Sequence, residues 1–144
     1  MSSAGAVVTA VTFVWLGMVL AISFLEAPLK FRAPGITLPL GLGIGRLVFR
    51  ALNAAEAVWA VIVVVAVIVG SWAGPAVPVA AGIAVGALLV QLVAVRPALT
   101  RRSDAVLAGH EGPRSSAHLV YVAIEVVKVA ALIWLGVAVL ISAT

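Results

Sequence analysis

Residues 57–95 carry no charged side chain, and that run decides which solvent the chain is built for. About 20 apolar residues of helix cross the hydrocarbon core of a bilayer. The run is nearly twice that length and is interrupted by GSWAGPAVP at Gly70–Pro78, where Gly and Pro together punctuate a helix. It therefore reads as two spans and a turn, about 47–70 and 77–95. Residues 1–25 are also uncharged, and 4–25 make a further span. That stretch is longer than the apolar region of a cleaved secretory signal and lacks its basic start. A fourth span covers about 116–141. Pro97 and Pro113 bracket a polar loop holding Arg101, Arg102, Asp104, His110, Glu111 and Arg114.

Composition agrees. The apolar set makes up 65% of the 144 residues and charged residues 10%, against roughly 45–50% and 25% in a soluble domain. Fourteen charged side chains (nine Lys and Arg, five Asp and Glu) do not cover a water-facing surface. A soluble enzyme and a nucleic-acid-binding domain are excluded, the latter because the basic residues form no stripe along one face. The absence of cysteine removes disulfides, thiolate metal sites and a cysteine nucleophile. The expected fold is all-α, a polytopic membrane four-helix bundle forming one domain over 1–144, with the lipid bilayer as its first partner.

The basic residues give the orientation. Lys30, Arg32, Arg46 and Arg50 flank the first connection, and Arg96, Arg101, Arg102 and Arg114 flank the third. The ninth, Lys128, lies inside a span. Basic loops stay cytoplasmic, so both termini are expected on the non-cytoplasmic side of the cell inner membrane. The first connection is unusual. After Arg32 it runs APGITLPLGLGIG, apolar and uncharged. Two readings stand: a re-entrant or interfacial segment whose Gly41, Gly43 and Gly45 N–H groups face an anion before a helix start, and a packed turn.

Ionisable residues inside a span are expensive and usually face the bundle interior. In the fourth span His118, Tyr121, Glu125 and Lys128 follow one another at steps of three, four and three, which places them within about 80° of arc. In the second, Arg46, Arg50, Asn53 and Glu56 spread over about 120°. Ser23 and Glu26 end the first span, with Trp15 on nearly the same face. The third span offers only Gln91, and its Gly82-x-x-x-Gly86 pair suggests close helix packing. Counting from the outer ends of their spans, Glu56 and Lys128 lie level, each about 9 Å below the cytoplasmic boundary. Each then offers the other a partner, and Glu125 shares the lysine one turn away. A cytoplasm-facing polar pocket is expected between the first, second and fourth spans. Its ligand-binding members are Glu26, Arg50, Asn53, Glu56, His118, Tyr121, Glu125 and Lys128. Arg46 is expected to snorkel to the headgroups.

The stretches FLEAPLKFRAPGITLPLGLGIGRLVFRALNAAE (Phe24–Glu56) and HLVYVAIEVVKVAALIWLG (His118–Gly136) resemble a family of uncharacterised four-helix bacterial inner-membrane proteins. More loosely, they are similar to the membrane domains of copper-resistance D-type proteins. The resemblance implies a membrane helix bundle, and the second likeness a metal role on the far side of the membrane. Here the chain departs from the copper proteins: it has one intramembrane His, no Cys, and Met only at Met1 and Met18, whereas copper sites use His, Met or thiolate ligands. His118 and Glu125 stand about 10 Å apart along a helix, so no metal is expected, and no motif names a cofactor. Three functions remain open. One is binding or transport of a small polar or anionic ligand or of protons, in a monomer or homodimer. Another is a membrane enzyme using Glu125 or His118 as acid and base on a lipophilic substrate. The third is an accessory subunit of a larger membrane complex.

Overall fold

A computed structural model describes residues 1–109 and 116–143. His110, Glu111, Pro113 and Arg114 of the third connection, and Thr144, lie outside the described residues. Four long helices make up the fold: α1 (Ser3–Lys30), α2 (Leu38–Val69), α3 (Ala76–Leu107) and α4 (Ser116–Ser142). Each is long and apolar enough to cross a membrane. The Ser2 hydroxyl caps α1 by accepting from the Gly5 N–H at 3.0 Å. The Thr37 hydroxyl caps α2 through the Leu40 N–H at 3.2 Å, with Pro39 in the first turn. Both satisfy backbone donors that a helix start leaves free.

Two helices outrun the expected spans. Helix α2 starts at Leu38 instead of near residue 47, and α3 continues through Arg96–Leu107. At 32 residues each they measure about 48 Å, longer than a hydrocarbon core of about 30 Å. The re-entrant reading of residues 33–45 is thereby corrected. Gly41, Gly43 and Gly45 lie inside α2, and the Gly41 N–H is already bonded to the Thr37 carbonyl at 2.9 Å. Their amides are committed to the helix and cannot face an anion. The actual reversal is confined to residues 31–37 and turns on Gly35, with φ at 79°.

The helices pack in a ring, each touching the next and α4 closing on α1. Val8, Trp15, Val19, Val63, Ala66, Leu88, Leu132, Leu135 and Val139 fill the centre, and Ala80, Ala81 and Ala84 let α3 approach closely. Outward-facing Val61, Ile68, Val69 and Val93 are 63–74% exposed, a surface only lipid tails solvate well. Between helices in lipid the attraction is close packing, not water exclusion. At Gly136 a β-carbon would stand 2.7 Å from the Phe13 ring, so glycine permits the α1–α4 approach. Gly82 and Gly86 make no such contact: a β-carbon on either meets nothing within 4 Å, which corrects the packing role read from their spacing.

Two turns widen from α to π geometry, Leu20–Glu26 in α1 and Gln91–Val95 in α3. The Ala27 N–H reaches back five residues to the Ile22 carbonyl, and the Arg96 N–H reaches the Gln91 carbonyl in the same way. Each widened turn lies just before a proline, Pro28 or Pro97. Proline has no N–H for the carbonyl four residues back and its ring clashes with it. A π turn absorbs that mismatch without ending the helix.

Candidate functional site

Where the bundle begins to open toward its basic end, all four helices turn a polar side chain inward. Lys128 on α4 is fully buried, as are Glu56 on α2, Gln91 on α3 and Glu125 on α4. The Lys128 ammonium donates to Glu56 Oε2 and to Gln91 Oε1, the latter at 2.8 Å. It also lies 2.5 Å from Glu125 Oε1. A lysine has three protons to place, and here three acceptors surround it. The Gln91 amide donates onward to Glu125 Oε1 at 3.3 Å and to the Tyr121 carbonyl at 3.4 Å. Helix α1 closes the network: the Trp15 indole N–H donates to Glu56 Oε2 at 2.9 Å, and the Ser23 hydroxyl donates to Glu125 Oε2 at 2.8 Å.

The π turns position two of these groups. Ser23 lies within the first and Gln91 opens the second, so the insertions that accommodate Pro28 and Pro97 also set the facing of both residues. The cluster holds two carboxyl groups and one amine. With both carboxyls ionised it carries a net charge of −1, and with one proton bound it is neutral. Burying an uncompensated charge costs several kcal/mol even after relaxation.

Outward from the cluster lies a cleft of about 270 Å³ lined by Arg46, Arg50, Asn53, Arg96 and Thr100. Arg46 pairs with Asp104 at 2.7 Å across a largely exposed contact. The Arg96 guanidinium lies over the Phe49 ring at 5.5 Å, with Lys30 Nζ at 5.9 Å from the same ring. The Tyr121 ring meets Phe49 edge-on at 5.9 Å. Between cleft and cluster, Asn53 Oδ1, Glu56 Oε1 and the Tyr121 hydroxyl are enclosed and make no hydrogen bond. Such groups normally find partners.

The expected site residues therefore divide. Glu56, Glu125 and Lys128 form the cluster; Asn53 and Tyr121 stand beside it; Arg50 is exposed and lines the cleft. Glu26 does not join them. It lies 3.7 Å from Lys30 on its own helix, and Ser23 takes the contact with Glu125. His118 is exposed. Its azimuth on α4 fits the polar face, but seven residues put it about 10 Å from Glu125 along the axis. Arg46 engages Asp104 instead of only reaching the headgroups. The three-span pocket is also corrected, since Gln91 of α3 is central. Its depth was countable from the sequence. Gln91 is 14 residues from Val77, Glu56 is 14 from Gly70, and Lys128 is 13 from Ile141, so all three lie level.

Comparison with known proteins finds no family model, curated protein or solved structure that matches the chain. The class it defines rests on its own features: a small helical protein whose four helices suit a multi-pass membrane protein, with an ion cluster in its interior.

Proposed function

We propose that this is a binding or transport protein of the bacterial inner membrane that couples protons to a small anion. The arginine-lined cleft faces the cytoplasm and receives the anion, and the Lys128 cluster exchanges the proton. The observation that carries this reading is the buried set of two carboxyls around one lysine, whose neutrality depends on a bound proton. Intramembrane carboxylates are characteristic of proton relays. Asn53, Tyr121 and the second oxygen of Glu56 supply unused hydrogen-bonding capacity between cleft and cluster. The resemblance to four-helix inner-membrane proteins fits the same reading, and a homodimer would widen the pathway that four helices leave.

The two other readings find less support. A membrane enzyme working through Glu125 or His118 needs an acid–base group open to lipid, yet Glu125 is 1% exposed, and the exposed His118 lies about 10 Å from it along α4. An accessory subunit gripping a partner with the polar face of α4 needs that face free, yet Glu125 and Lys128 at its centre are buried and engaged within the chain. The test is proton flux in liposomes holding a trapped pH-sensitive dye. Glu125→Gln keeps the shape and removes the charge. Wild type should dissipate an imposed pH gradient faster than protein-free liposomes, and Glu125→Gln should not. Equal rates in both proteins would refute the coupling role.

A further inference from the structure

We propose that the cleft between α2 and α3 binds a phosphate group as a dianion. The proposal deepens the reading that this end of the bundle receives an anion, and rests on it. Arg46 and Arg50 stand one turn apart on α2, with Asn53 close to one turn beyond; Arg96 and Thr100 stand one turn apart on α3. Side chains at this spacing share a helix face, and both faces line the same cleft of about 270 Å³. Three guanidiniums meet there with one carboxylate, Asp104, held by Arg46. These side chains together leave a charge of +2, which a group of charge −2 neutralises. Arg50 and Arg96 have no carboxylate partner among the described residues.

The chemistry of the lining selects the ligand class. Guanidinium forks match the oxygens of phosphate two at a time. Asn53 and Thr100 add neutral donors of the kind that orient such a group. The volume lies below the roughly 300–1,000 Å³ of pockets for drug-sized ligands, which suits a small charged head. Because the cleft lies at the charged end of two helices that outrun the bilayer, the group has two possible sources: free phosphate and the headgroup of a phosphomonoester lipid.

Binding to the purified, detergent-solubilised protein separates them. One arm is equilibrium dialysis with radiolabelled inorganic phosphate. The other is native mass spectrometry with phosphatidic acid, using zwitterionic phosphatidylcholine as the reference lipid. Retention of inorganic phosphate identifies the free anion. Retention of phosphatidic acid over phosphatidylcholine identifies the lipid. In either case Arg50→Gln and Arg96→Gln should each weaken binding by roughly 10- to 100-fold. Arg50→Lys, which keeps the charge and loses the fork, should fall between them and wild type. Arg101→Gln, outside the cleft, should bind as wild type does, and thermal melts should show every variant folded. The proposal is overturned if wild type retains neither probe, if the cleft variants bind unchanged, or if Arg101→Gln loses as much as they do. Failure here with proton flux intact removes the phosphate assignment alone; loss of flux control at Glu125 with phosphate still bound removes the proton coupling alone.

Discussion

Lys128 is the residue on which the interior depends. Its ammonium is at 0% exposure and is held by acceptors from three helices. Removing it leaves two carboxyls facing each other in a low-dielectric interior with no cation. Lys128→Ala should therefore destabilise the fold by about 3–5 kcal/mol, the cost of breaking a buried ion pair from one side. Reversible unfolding in mixed micelles measures this, and a loss below about 1 kcal/mol, the level of an exposed pair, would mean that water reaches the site. The level placement of Glu56 and Lys128 was legible in the sequence because burial of charge in a span is costly enough to force pairing. The partners from α1 were not. Trp15 and Ser23 share a helix face with Glu26, but the spacing does not say which carboxylate each meets, and Glu26 was the more conspicuous polar group on that face.

At the scale of the element, the two π turns connect backbone chemistry to side-chain placement. Spans and polar faces followed from periodicity, but a π turn shifts the register by one residue and periodicity carries no sign of it. The legible signal was Pro28 and Pro97, each inside a helix that does not stop. The extensions of α2 and α3 were hidden for a different reason. Glycines and prolines in residues 33–45 lower helix propensity, yet Thr37 and Pro39 start the helix and the Phe31 ring packs on Gly41. If Pro97 sets the facing of Gln91, then Pro97→Ala, which restores the missing N–H, should let the turn close and swing Gln91 by about 100°. Gln91→Leu removes the same contact directly. A double-mutant cycle should then be non-additive, with an interaction of about 0.5–3 kcal/mol. Simple additivity of the two unfolding free energies would show that the proline and the glutamine act independently.

At the scale of the whole molecule, the arrangement has a polarity: a dry alanine- and valine-rich end, an ion cluster, then a basic cleft. Eight of nine Lys and Arg side chains belong to the two connections at the cleft end or the helix turns beside them, and four passes return the chain to its starting side. Fusions of a cytoplasm-only reporter to either terminus should accordingly be inactive, while the same reporter inserted after Arg102 should be active. Activity at both termini would reverse the orientation and place the cleft outside. The most direct measurement of the central claim, that the ion cluster exists for proton exchange and not for helix register, uses an apolar replacement of the entire cluster. In Glu56→Leu, Gln91→Leu, Glu125→Leu and Lys128→Met combined, no charge is left unpaired, and such replacements are often neutral or stabilising. The expected result is a folded protein at least as stable as Lys128→Ala, with liposome proton flux at the protein-free level. A folded quadruple variant whose flux equals that of wild type would contradict it.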